Sequence, residues 1–444
     1  MRRYLSSLSI ALLLAGAAAA QPEDRQPVPR RESLFYEAAT FLAGNPAGVR
    51  VDVHYRIDAG FFVAVRNSDP SFRWDFRRKG EVSIELRDST GMARARSIQQ
   101  VDLGDNLSER GETDVRWYQG IASLEVPPGR YSVQLEATDQ DSRRSLLEKR
   151  VTVDARLPRI REAETTTPFW IRDTIATSLT PLNFGGEILL NSSNTLLFQI
   201  PLTGSLPQAV TAEYAFTRTP KGSKIEDFTG TVSGKMFRNL SLRAYSGGDS
   251  VRYDALEDTS LAALTVALPI PTERLRLRTY EMTLTVRLDT QTFSIKKQAN
   301  VIWPGMPFSL KDVDYALEAL SYIAPEEKID SLRDGDFETR IRNLEGFWTA
   351  MDKGRANPYN EAMTEYYRRV DHAMKTFGTL RRPDGFKSDR GKIYVLYGPA
   401  THTERELDPA SGFREIWEYQ RLNKTFVFID RARSGDYVLL QPAR

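Results

Sequence analysis

The chain has 444 residues, of which 41% are hydrophobic and 27% are charged. This length suits about three domains, and the composition is ordinary for a globular protein. The formal net charge of +2 equals the contribution of Arg2 and Arg3, so the remaining chain is near neutral and gives no support for a nucleic-acid or anionic-membrane partner. The absence of cysteine excludes disulfides, a cysteine nucleophile and a lipid-bearing cysteine.

The N-terminal residues have the pattern of a secretory signal peptide. A positive start is followed by a short apolar run at residues 10–14 and by small residues at 18–20. An N-terminal membrane anchor is the alternative, but the run is short and rich in alanine. We therefore expect cleavage before Gln21 and export to the periplasm, the cell surface or the medium. No other segment approaches the length of a membrane-spanning helix.

Alternating strands characterise the next part of the chain. Apolar and polar residues alternate from Val49 to Ile57, which predicts a strand with one buried and one exposed face. The same period recurs at 82–86, 131–135 and 147–153. Short strands separated by turn residues predict an antiparallel, Ig-like β-sandwich.

A second β-rich region follows, with strands predicted at 196–200, 210–216, 264–268 and 280–288. Glycine, serine and threonine mark the turns between them, so we expect a second antiparallel β-sandwich. The predicted order is a signal peptide at 1–20, a flexible leader at 21–34, β-sandwich domains at 35–155 and 156–302, and a C-terminal α+β domain at 303–444.

The C-terminal region begins where the apolar period changes from 2 to 3.6, after the WPGMP segment at 303–307. Ser309 is expected to cap a first helix. Three helices are predicted, each with an apolar stripe at helical spacing. The stripe of the first consists of Val313, Ala316, Leu317, Leu320 and Ile323, and that of the second consists of Ile341, Leu344, Trp348 and Met351. The stripe of the third consists of Met363, Tyr366, Tyr367, Val370, Met374 and Phe377. Strands are predicted at 392–397, 415–419, 425–429 and 437–440, which together indicate an α+β fold.

Short motifs in this region resemble those of the GWxTD domain, a family of exported bacterial proteins. They are Phe347-Trp348, Asn360-Glu361, EYYRRV at 365–370, GFKSD at 385–389, Arg390-Gly391, Tyr397-Gly398-Pro399 and EIWEY at 415–419. Phe386 replaces the family's tryptophan, Ser388 replaces its threonine, and DKGR at 352–355 replaces an acidic, proline-containing segment. The family has no established activity, so the resemblance implies a fold and a location rather than a mechanism.

The GFKSD segment has two interpretations. Phosphate-binding loops have glycine N–H groups that converge at the start of a helix, whereas this segment is expected to lead into a strand, and no nucleotide-binding fingerprint is present. Its residue types suit a turn. We therefore expect a structural clamp between the third helix and the sheet, with Phe386 in the core and Asp389 bound to backbone or to an arginine. The structural set is Gly385, Phe386, Lys387, Ser388, Asp389, Arg390, Gly391, Gly398 and Pro399.

Carboxylates on the third helix offer candidate chemistry. Glu361, Glu365 and Arg369 recur at helical spacing, and Arg368 and His372 form a second such pair. The carboxylates and the histidine could bind a metal or exchange protons. Solvated Glu–Arg pairs are favoured instead, because a metal site needs more than one histidine at ligand spacing.

Two D-x-D pairs, Asp139 with Asp141 and Asp334 with Asp336, resemble fragments of calcium loops. The other ligands are missing at fixed spacing, so loop solvation explains these pairs better. The sequence therefore predicts no metal and no other cofactor.

Two functional hypotheses follow. The first is an exported, non-enzymatic binding or scaffold protein of the cell envelope that contacts a protein or another envelope component. The second is a hydrolase of envelope polymer that uses Glu361, Glu365 or Asp389 as acid or base. A raised carboxylate pKa in a cleft would favour the enzyme, and arginine-paired carboxylates on a flat surface would favour the binder. The candidate binding residues are Glu361, Glu365, Tyr366, Arg368, Arg369, Asp389, Arg390 and Trp417.

We predict that export removes residues 1–20, because their charge and apolar pattern fit signal peptidase processing. The intact mass of the exported protein should correspond to a chain that begins at Gln21. An exported chain that still begins at Met1 would contradict the prediction.

Overall fold

A computed structural model gives the fold of this chain. It describes residues 34–442 except 44–47, 70, 72, 106–115, 148–150, 160–163, 176, 203–205, 219–227, 248–249, 290, 352–359, 380–381 and 409–411. The predicted signal peptide, the leader up to residue 33 and the DKGR segment lie outside the described residues. Within them, no helix is both long and apolar enough to cross a membrane.

The first β-rich region contains two antiparallel sheets that enclose one apolar core. The three-stranded sheet has the order β1-β2-β6, with β1 at Leu34–Leu42, β2 at Val49–Asp58 and β6 at Trp117–Val126. The six-stranded sheet consists of β3 (Val65–Arg66), β4 (Phe76–Arg87), β5 (Ala93–Asp105), β7 (Gly129–Asp139), β8 (Ser145–Leu147) and β9 (Val151–Ala155). Strands are present at the predicted positions 49–57, 82–86 and 131–135, and β4 and β7 form the centre of the larger sheet. The strand predicted at 147–153 corresponds to the end of β8 and the start of β9, and residues 148–150 lie outside the described residues.

The second β-rich region also contains two facing sheets around an apolar core. The seven-stranded sheet has the order β16-β19-β13-β10-β11-β18-β17, and the five-stranded sheet has the order β12-β21-β20-β14-β15. Only β12 and β21 pair in parallel among the described strands. The strands are β10 (Phe169–Ile175), β11 (Ser178–Pro181), β12 (Ile188–Leu189), β13 (Asn194–Pro201), β14 (Val210–Arg218), β15 (Phe228–Ser233), β16 (Lys235–Arg238), β17 (Leu240–Ser246), β18 (Val251–Glu257), β19 (Ala263–Ile270), β20 (Thr279–Leu288) and β21 (Gln291–Ile302).

The three-stranded sheet is covered on both faces. One face of β2 packs into the core shared with the six-stranded sheet. The other side of the three-stranded sheet contributes Ala39, Phe41 and Ile121 to a separate core with residues of the seven-stranded sheet. Asp52 and His54 on this side are completely buried (0% exposed). The prediction that β2 has one exposed face is therefore wrong, because a second sheet covers its polar side.

Hydrogen bonds connect several of the buried polar groups between these sheets. The Tyr253 hydroxyl of β18 donates to Asp52 Oδ2 over 2.8 Å and lies 2.5 Å from His54 Nε2. Because the single hydroxyl proton goes to Asp52, the imidazole Nε2–H of His54 donates to the tyrosine oxygen. Arg50 donates to the same carboxylate at 3.0 Å. The two β-rich regions are therefore joined by a buried polar network as well as by apolar contacts.

Glu37 and Lys297 extend this network. His54 Nδ1 lies 3.8 Å from Glu37 Oε1, and Lys297 Nζ donates to the carbonyl of Pro168 at 3.0 Å. Burial raises the pKa of Glu37, but the attraction of His54 and Lys297 outweighs it, so the net pKa is lowered. Glu37 is therefore held in its charged form inside the protein.

The C-terminal region consists of helices followed by a small antiparallel sheet, as the sequence predicted. Its helices are α1 (Val313–Ala319), α2 (Glu326–Arg333), α3 (Phe337–Met351), α4 (Glu361–Phe377) and α5 (Asp389–Tyr397). The sheet has the order β22-β23-β24-β25, formed by His402–Asp408, Gly412–Tyr419, Lys424–Asp430 and Val438–Pro442. Aromatic residues of β23 and β24 pack on the helices in one core.

Several details of the helices differ from the prediction. Ser309 lies in a 3-10 helix at Phe308–Lys311, and Asp312 caps α1 instead. The predicted second and third helices are α3 and α4, whereas α2 and the edge strand β22 were not predicted. On α3, Ile341 is only half-buried, and Met351 is 52% exposed because the face of α3 near its C-terminus is uncovered.

Residues 392–397 form most of helix α5, so the prediction of a strand there is wrong. The Ser388 side chain caps the helix by accepting the N–H of Gly391 at 3.0 Å. Gly398, at φ +77°, ends the helix and donates its N–H to the carbonyl of Tyr394 at 2.7 Å. The segment is rich in β-branched and aromatic residues, but caps and packing against α4 override that weak local preference.

We predict that Tyr253→Phe lowers the free energy of unfolding by about 1–3 kcal/mol, because Asp52 and His54 lose a buried hydrogen-bond partner. Urea denaturation of the full chain measures the change. Tyr315→Phe is the matched control, since the Tyr315 hydroxyl has no hydrogen-bond partner in the described residues, and it should change stability by less than about 0.5 kcal/mol. Equal stability losses in the two variants would contradict the prediction.

Candidate functional site

Helix α4 ties together the other helices of the C-terminal region. Asn360 caps α4 by accepting the N–H of Met363 at 2.9 Å, and it donates to the carbonyl of Trp348 at 2.8 Å. The Tyr366 and Tyr367 hydroxyls donate to carbonyls of α1, over 2.6 and 2.9 Å. Tyr366, a candidate binding residue, is thus a buried structural group.

The GFKSD segment is a tight connection between α4 and α5. A Cβ at Gly385 would lie 2.2 Å from the carbonyl oxygen of Ala373, and one at Gly391 would lie 2.1 Å from the carbonyl oxygen of Gly385. No side chain fits at either position without backbone movement. These glycines therefore let the turn sit directly against α4.

Phe386 fills the core beneath this turn. Its side chain is 1% exposed, and its ring meets those of Tyr315 and Tyr322 edge-on at centroid distances of 5.4 and 6.2 Å. The Tyr322 hydroxyl donates to the carbonyl of Phe386 at 2.8 Å. The predicted core position of Phe386 is confirmed.

Asp389 connects α5 to the C-terminal sheet. Its Oδ2 accepts the backbone N–H of Leu439 over 2.8 Å, and Leu439 lies in β25, an edge strand of the sheet. Asp389 therefore binds backbone, as predicted, but the partner belongs to a strand 50 positions along the chain rather than to the turn itself. The connection differs in one respect: the turn leads from α4 into α5, and Asp389 and Arg390 at the start of α5 both bind groups of the sheet.

The helical assignment of α5 reopens the question of a phosphate site, because the turn now precedes a helix N-terminus. The Ser388 hydroxyl, however, accepts the N–H of Gly391 and donates to the carbonyl of Gly385 at 2.6 Å. Asp389 also places a carboxylate in the first turn. A negative charge there repels an anion, so the geometry favours the structural interpretation.

Arg390 and Trp417 belong to a buried network around Glu415. Arg390 is 8% exposed and forms an ion pair with Glu415 at 3.0 Å. Its guanidinium also donates to the carbonyl of Gly435 and lies 4.0 Å from the ring centre of Tyr437. The Trp417 indole N–H donates to Glu415 at 2.9 Å. Arg390 and Trp417 therefore stabilise the interior rather than present a surface.

The other candidate residues lie at or near the surface of α4. Glu361 is exposed in the first turn, and Glu365 pairs with Arg369 at 2.8 Å. Arg369 also packs on Gly398, where a Cβ would come within 3.2 Å of its guanidinium carbon. Arg368 is half-buried. Of the pairs expected on this helical stripe, the structure shows the one between Glu365 and Arg369.

Two further members of the motif set lie at the surface. Lys387 pairs with Glu318 at 2.6 Å and with Asp384 at 3.2 Å, and its hydrogen bond with Glu318 raises its pKa. Pro399 is exposed after the end of α5. Lys387 thus fastens the turn to the end of α1.

The candidate metal ligands do not converge within the described residues. His372 stacks on Tyr394 with ring centres 4.3 Å apart. Asp139 accepts N–H groups of Val63 and Ser142 at 2.9 and 2.7 Å. Asp336 accepts the N–H of Thr339 at 2.8 Å, at the start of α3. Both D-x-D pairs thus supply a turn or cap residue.

Asp371 is a buried carboxylate that the sequence analysis did not single out. Burial raises its pKa, although hydrogen bonds from Ser309 and Phe308 oppose the shift. Its carboxylate accepts the N–H groups of Phe308 and Ser309 at 2.5 and 2.9 Å. Asp371 therefore anchors the 3-10 helix to α4, and both oxygens are engaged.

An open groove between α2 and α3 is a surface feature of the described residues that the sequence analysis did not single out. It encloses about 530 Å³. Leu332 of α2 and Phe347, Ala350 and Met351 of α3 form its apolar lining, with Lys328 and Arg342 at its rim. The FW motif is the sequence feature that could have indicated this groove. Its Trp348 lies in the core, whereas its Phe347 is half-buried and faces the groove.

Comparisons with known proteins agree with the C-terminal motifs. The sequence profile of the GWxTD domain matches residues 288–440. No curated protein matches the chain.

Similarity to solved structures is weak. The C-terminal domain of the Streptococcus pyogenes antigen I/II-family protein AspA aligns with 60% of this chain and 99% of its own, at 5% identity and a TM-score of 0.14. The C-terminal domain of the Streptococcus agalactiae AgI/II polypeptide BspA aligns with 60% of this chain and 99% of its own, at 8% identity and a TM-score of 0.16. A structure described as manganese lipoxygenase of Gaeumannomyces graminis and partial zonadhesin of Komagataella pastoris aligns with 60% of this chain and 93% of its own. Its identity is 11% and its TM-score is 0.14. These TM-scores are too low to support a conclusion.

We predict that Asp389→Ala lowers the free energy of unfolding by about 1–3 kcal/mol, because the N–H of Leu439 loses its acceptor. Asp384→Ala is the control, since in the described part of the chain the Asp384 side chain forms a surface ion pair with Lys387 alone, and it should cost less than about 1 kcal/mol. Thermal and urea unfolding measure both variants. An unchanged melting temperature in Asp389→Ala, together with loss of a measurable turnover, would contradict the structural role.

Proposed function

We propose that this chain, whose residues 288–440 belong to the GWxTD domain family, is an exported, non-enzymatic binding or scaffold component of the cell envelope. In this proposal it acts through protein–protein contacts made by its C-terminal region. The observation that carries the proposal is the open apolar groove between α2 and α3, which contrasts with the structural engagement of the candidate catalytic groups.

The state of the carboxylates supports binding over hydrolysis. Glu365 is paired with an arginine, Asp389 holds the backbone of β25, and Glu361 is exposed in the first turn of α4. A glycosidase-type acid–base pair needs two carboxyl groups facing one substrate cleft. Asp371, whose pKa is raised, is bonded to backbone at both oxygens. Glu365, Asp389 and Asp371 thus make structural contacts and Glu361 faces solvent, so the described residues offer no observation that supports the hydrolase hypothesis.

The groove supports a protein partner. Aromatic residues, methionine and arginine are enriched at protein interfaces, and the groove combines Phe347, Met351 and Arg342. Met351 is 52% exposed, although a methionine side chain usually lies in the interior. A partner that covers this side chain would gain the free energy of removing apolar surface from water.

The two β-rich regions would present the C-terminal region to its partner. We propose that they are Ig-like sandwiches at 35–155 and 156–302, followed by the α+β domain at 303–444. Salt bridges from Arg278 to Glu338 at 2.9 Å and from Arg276 to Glu345 at 3.4 Å link the second β-rich region to α3. Such links would hold α3 in a fixed orientation. The proposed location, after removal of the signal peptide, is the periplasm or the cell surface.

Site-specific photo-cross-linking in the native host tests this function. A photoreactive phenylalanine analogue is placed at Met351 in the groove, at Leu407 on β22 or at Leu422 beyond β23, all three exposed. We predict a discrete cross-link to an envelope protein from at least one position, in the fraction that contains the processed chain. Retention in the cytoplasm, or no cross-link from any of the three in an exported and folded chain, would contradict the proposal.

A further inference from the structure

We propose that the groove between α2 and α3 binds an acidic, amphipathic helical segment of a partner protein. This inference rests on the proposed binding function and deepens it, because it assigns both the surface and the chemistry of the partner. It follows from the shape of the groove, from its apolar lining and from the cations at its rim.

The shape of the groove suits a helix. On α3, two rows with i, i+4 spacing face the groove, Arg342-Gly346-Ala350 and Asn343-Phe347-Met351. Residues 342–351 extend over about 14 Å at 1.5 Å per residue, which equals between two and three turns of a helix. The opposite wall comes from Lys328 and Leu332 of α2, which are also four residues apart. An elongated groove between two helices accepts the apolar stripe of a third.

Gly346 and Ala350 keep the middle of the groove open. A Cβ built at Gly346 would have no atom within 4 Å, so no neighbouring group requires a glycine there. Glycine inside a helix costs about 1 kcal/mol relative to alanine. The glycine therefore weakens α3, and no contact within the described residues explains its presence. The close approach of a partner's backbone would explain it, because only a glycine leaves room for such an approach.

The positive charges at the rim of the groove favour a partner segment with negative charge. Lys328 and Arg342 have no carboxylate within ion-pair distance in the described part of the chain, and Arg342 donates only to the Thr339 hydroxyl at 3.0 Å. It acts on Asp336 only through a longer-range attraction. By contrast, Arg333 of α2 pairs with Asp330, and Arg340 of α3 pairs with Asp314. The cations beside the groove are thus free to meet acidic side chains that flank an apolar stripe.

The groove variant is chosen to leave the fold intact. Gly346→Trp fills the open space above α3, while its matched control Gly346→Ala adds only a methyl group and should preserve or slightly raise stability. Lys328→Glu combined with Arg342→Glu reverses the rim charge, and Lys296→Glu, at an exposed cation on β21, shows the effect of a charge reversal outside the groove. Thermal unfolding of each variant first shows that the chain is folded.

The probe is a fluorescent peptide of about 18 residues, long enough for appreciable helix in isolation, with leucine along one face and glutamate elsewhere. A second peptide has lysine in place of every glutamate. Fluorescence anisotropy with the full chain should show tighter binding of the glutamate peptide, weakening as salt is added. Gly346→Trp should weaken it by at least about tenfold, Gly346→Ala and Lys296→Glu should leave it unchanged, and the double reversal should make the lysine peptide the preferred one.

The inference is overturned if both peptides bind equally, if folded Gly346→Trp binds as wild type, or if the wild-type chain binds neither peptide. It is also overturned if light scattering shows that Gly346→Trp dissociates a dimer, because a second copy of this chain would then occupy the groove. Cross-linking at Leu407 or Leu422 without cross-linking at Met351 would reject the groove and keep the proposed function. No cross-link from any position would reject the function itself.

Discussion

The arrangement of the β-rich part depends on one constraint, the burial of both faces of the three-stranded sheet. Its apolar face joins the core with the six-stranded sheet, and its polar face lies against the seven-stranded sheet. Asp52 and His54 cannot reach water there, so they must be satisfied by protein groups. A single hydroxyl, that of Tyr253, is a hydrogen-bond partner of both Asp52 Oδ2 and His54 Nε2. A shift of one sheet across the other would leave these groups unpaired, and their hydrogen bonds therefore fix the register between the regions.

A related constraint governs the C-terminal region. Gly385 and Gly391 allow the turn after α4 to sit against its backbone, and that contact places Phe386 in the core and Asp389 at the edge of the sheet. The residues that make the sequence recognisable are thus largely those that hold the helices and the sheet together. Arg390 shows the same principle, because its charge is balanced inside by Glu415.

The functional consequence is a separation between the framework and the exposed surface. The strongest motifs fix the framework, while the groove depends on less distinctive residues such as Gly346 and Met351. The FW motif contributes to both, since Trp348 enters the core and Phe347 lines the groove. A rigid framework suits a binding surface, because a groove formed between packed helices is already shaped before the partner arrives.

The sequence by itself determined the features that depend on local spacing. Alternation predicted central strands of the β-rich regions such as β2, β4, β14 and β20. Helical spacing predicted α3 and α4, and the residue types of the GFKSD segment predicted a turn with a buried Phe386. Tertiary structure alone decided which faces are covered. The polar side of β2 is buried because Tyr253 arrives from 201 positions away, and residues 392–397 are helical because α4 and the Ser388 cap outweigh a weak strand preference. Likewise, the groove exists because α2 and α3 pack side by side. Burial by residues that are distant in the chain produces no periodic pattern in the local sequence, so the sequence could not predict it.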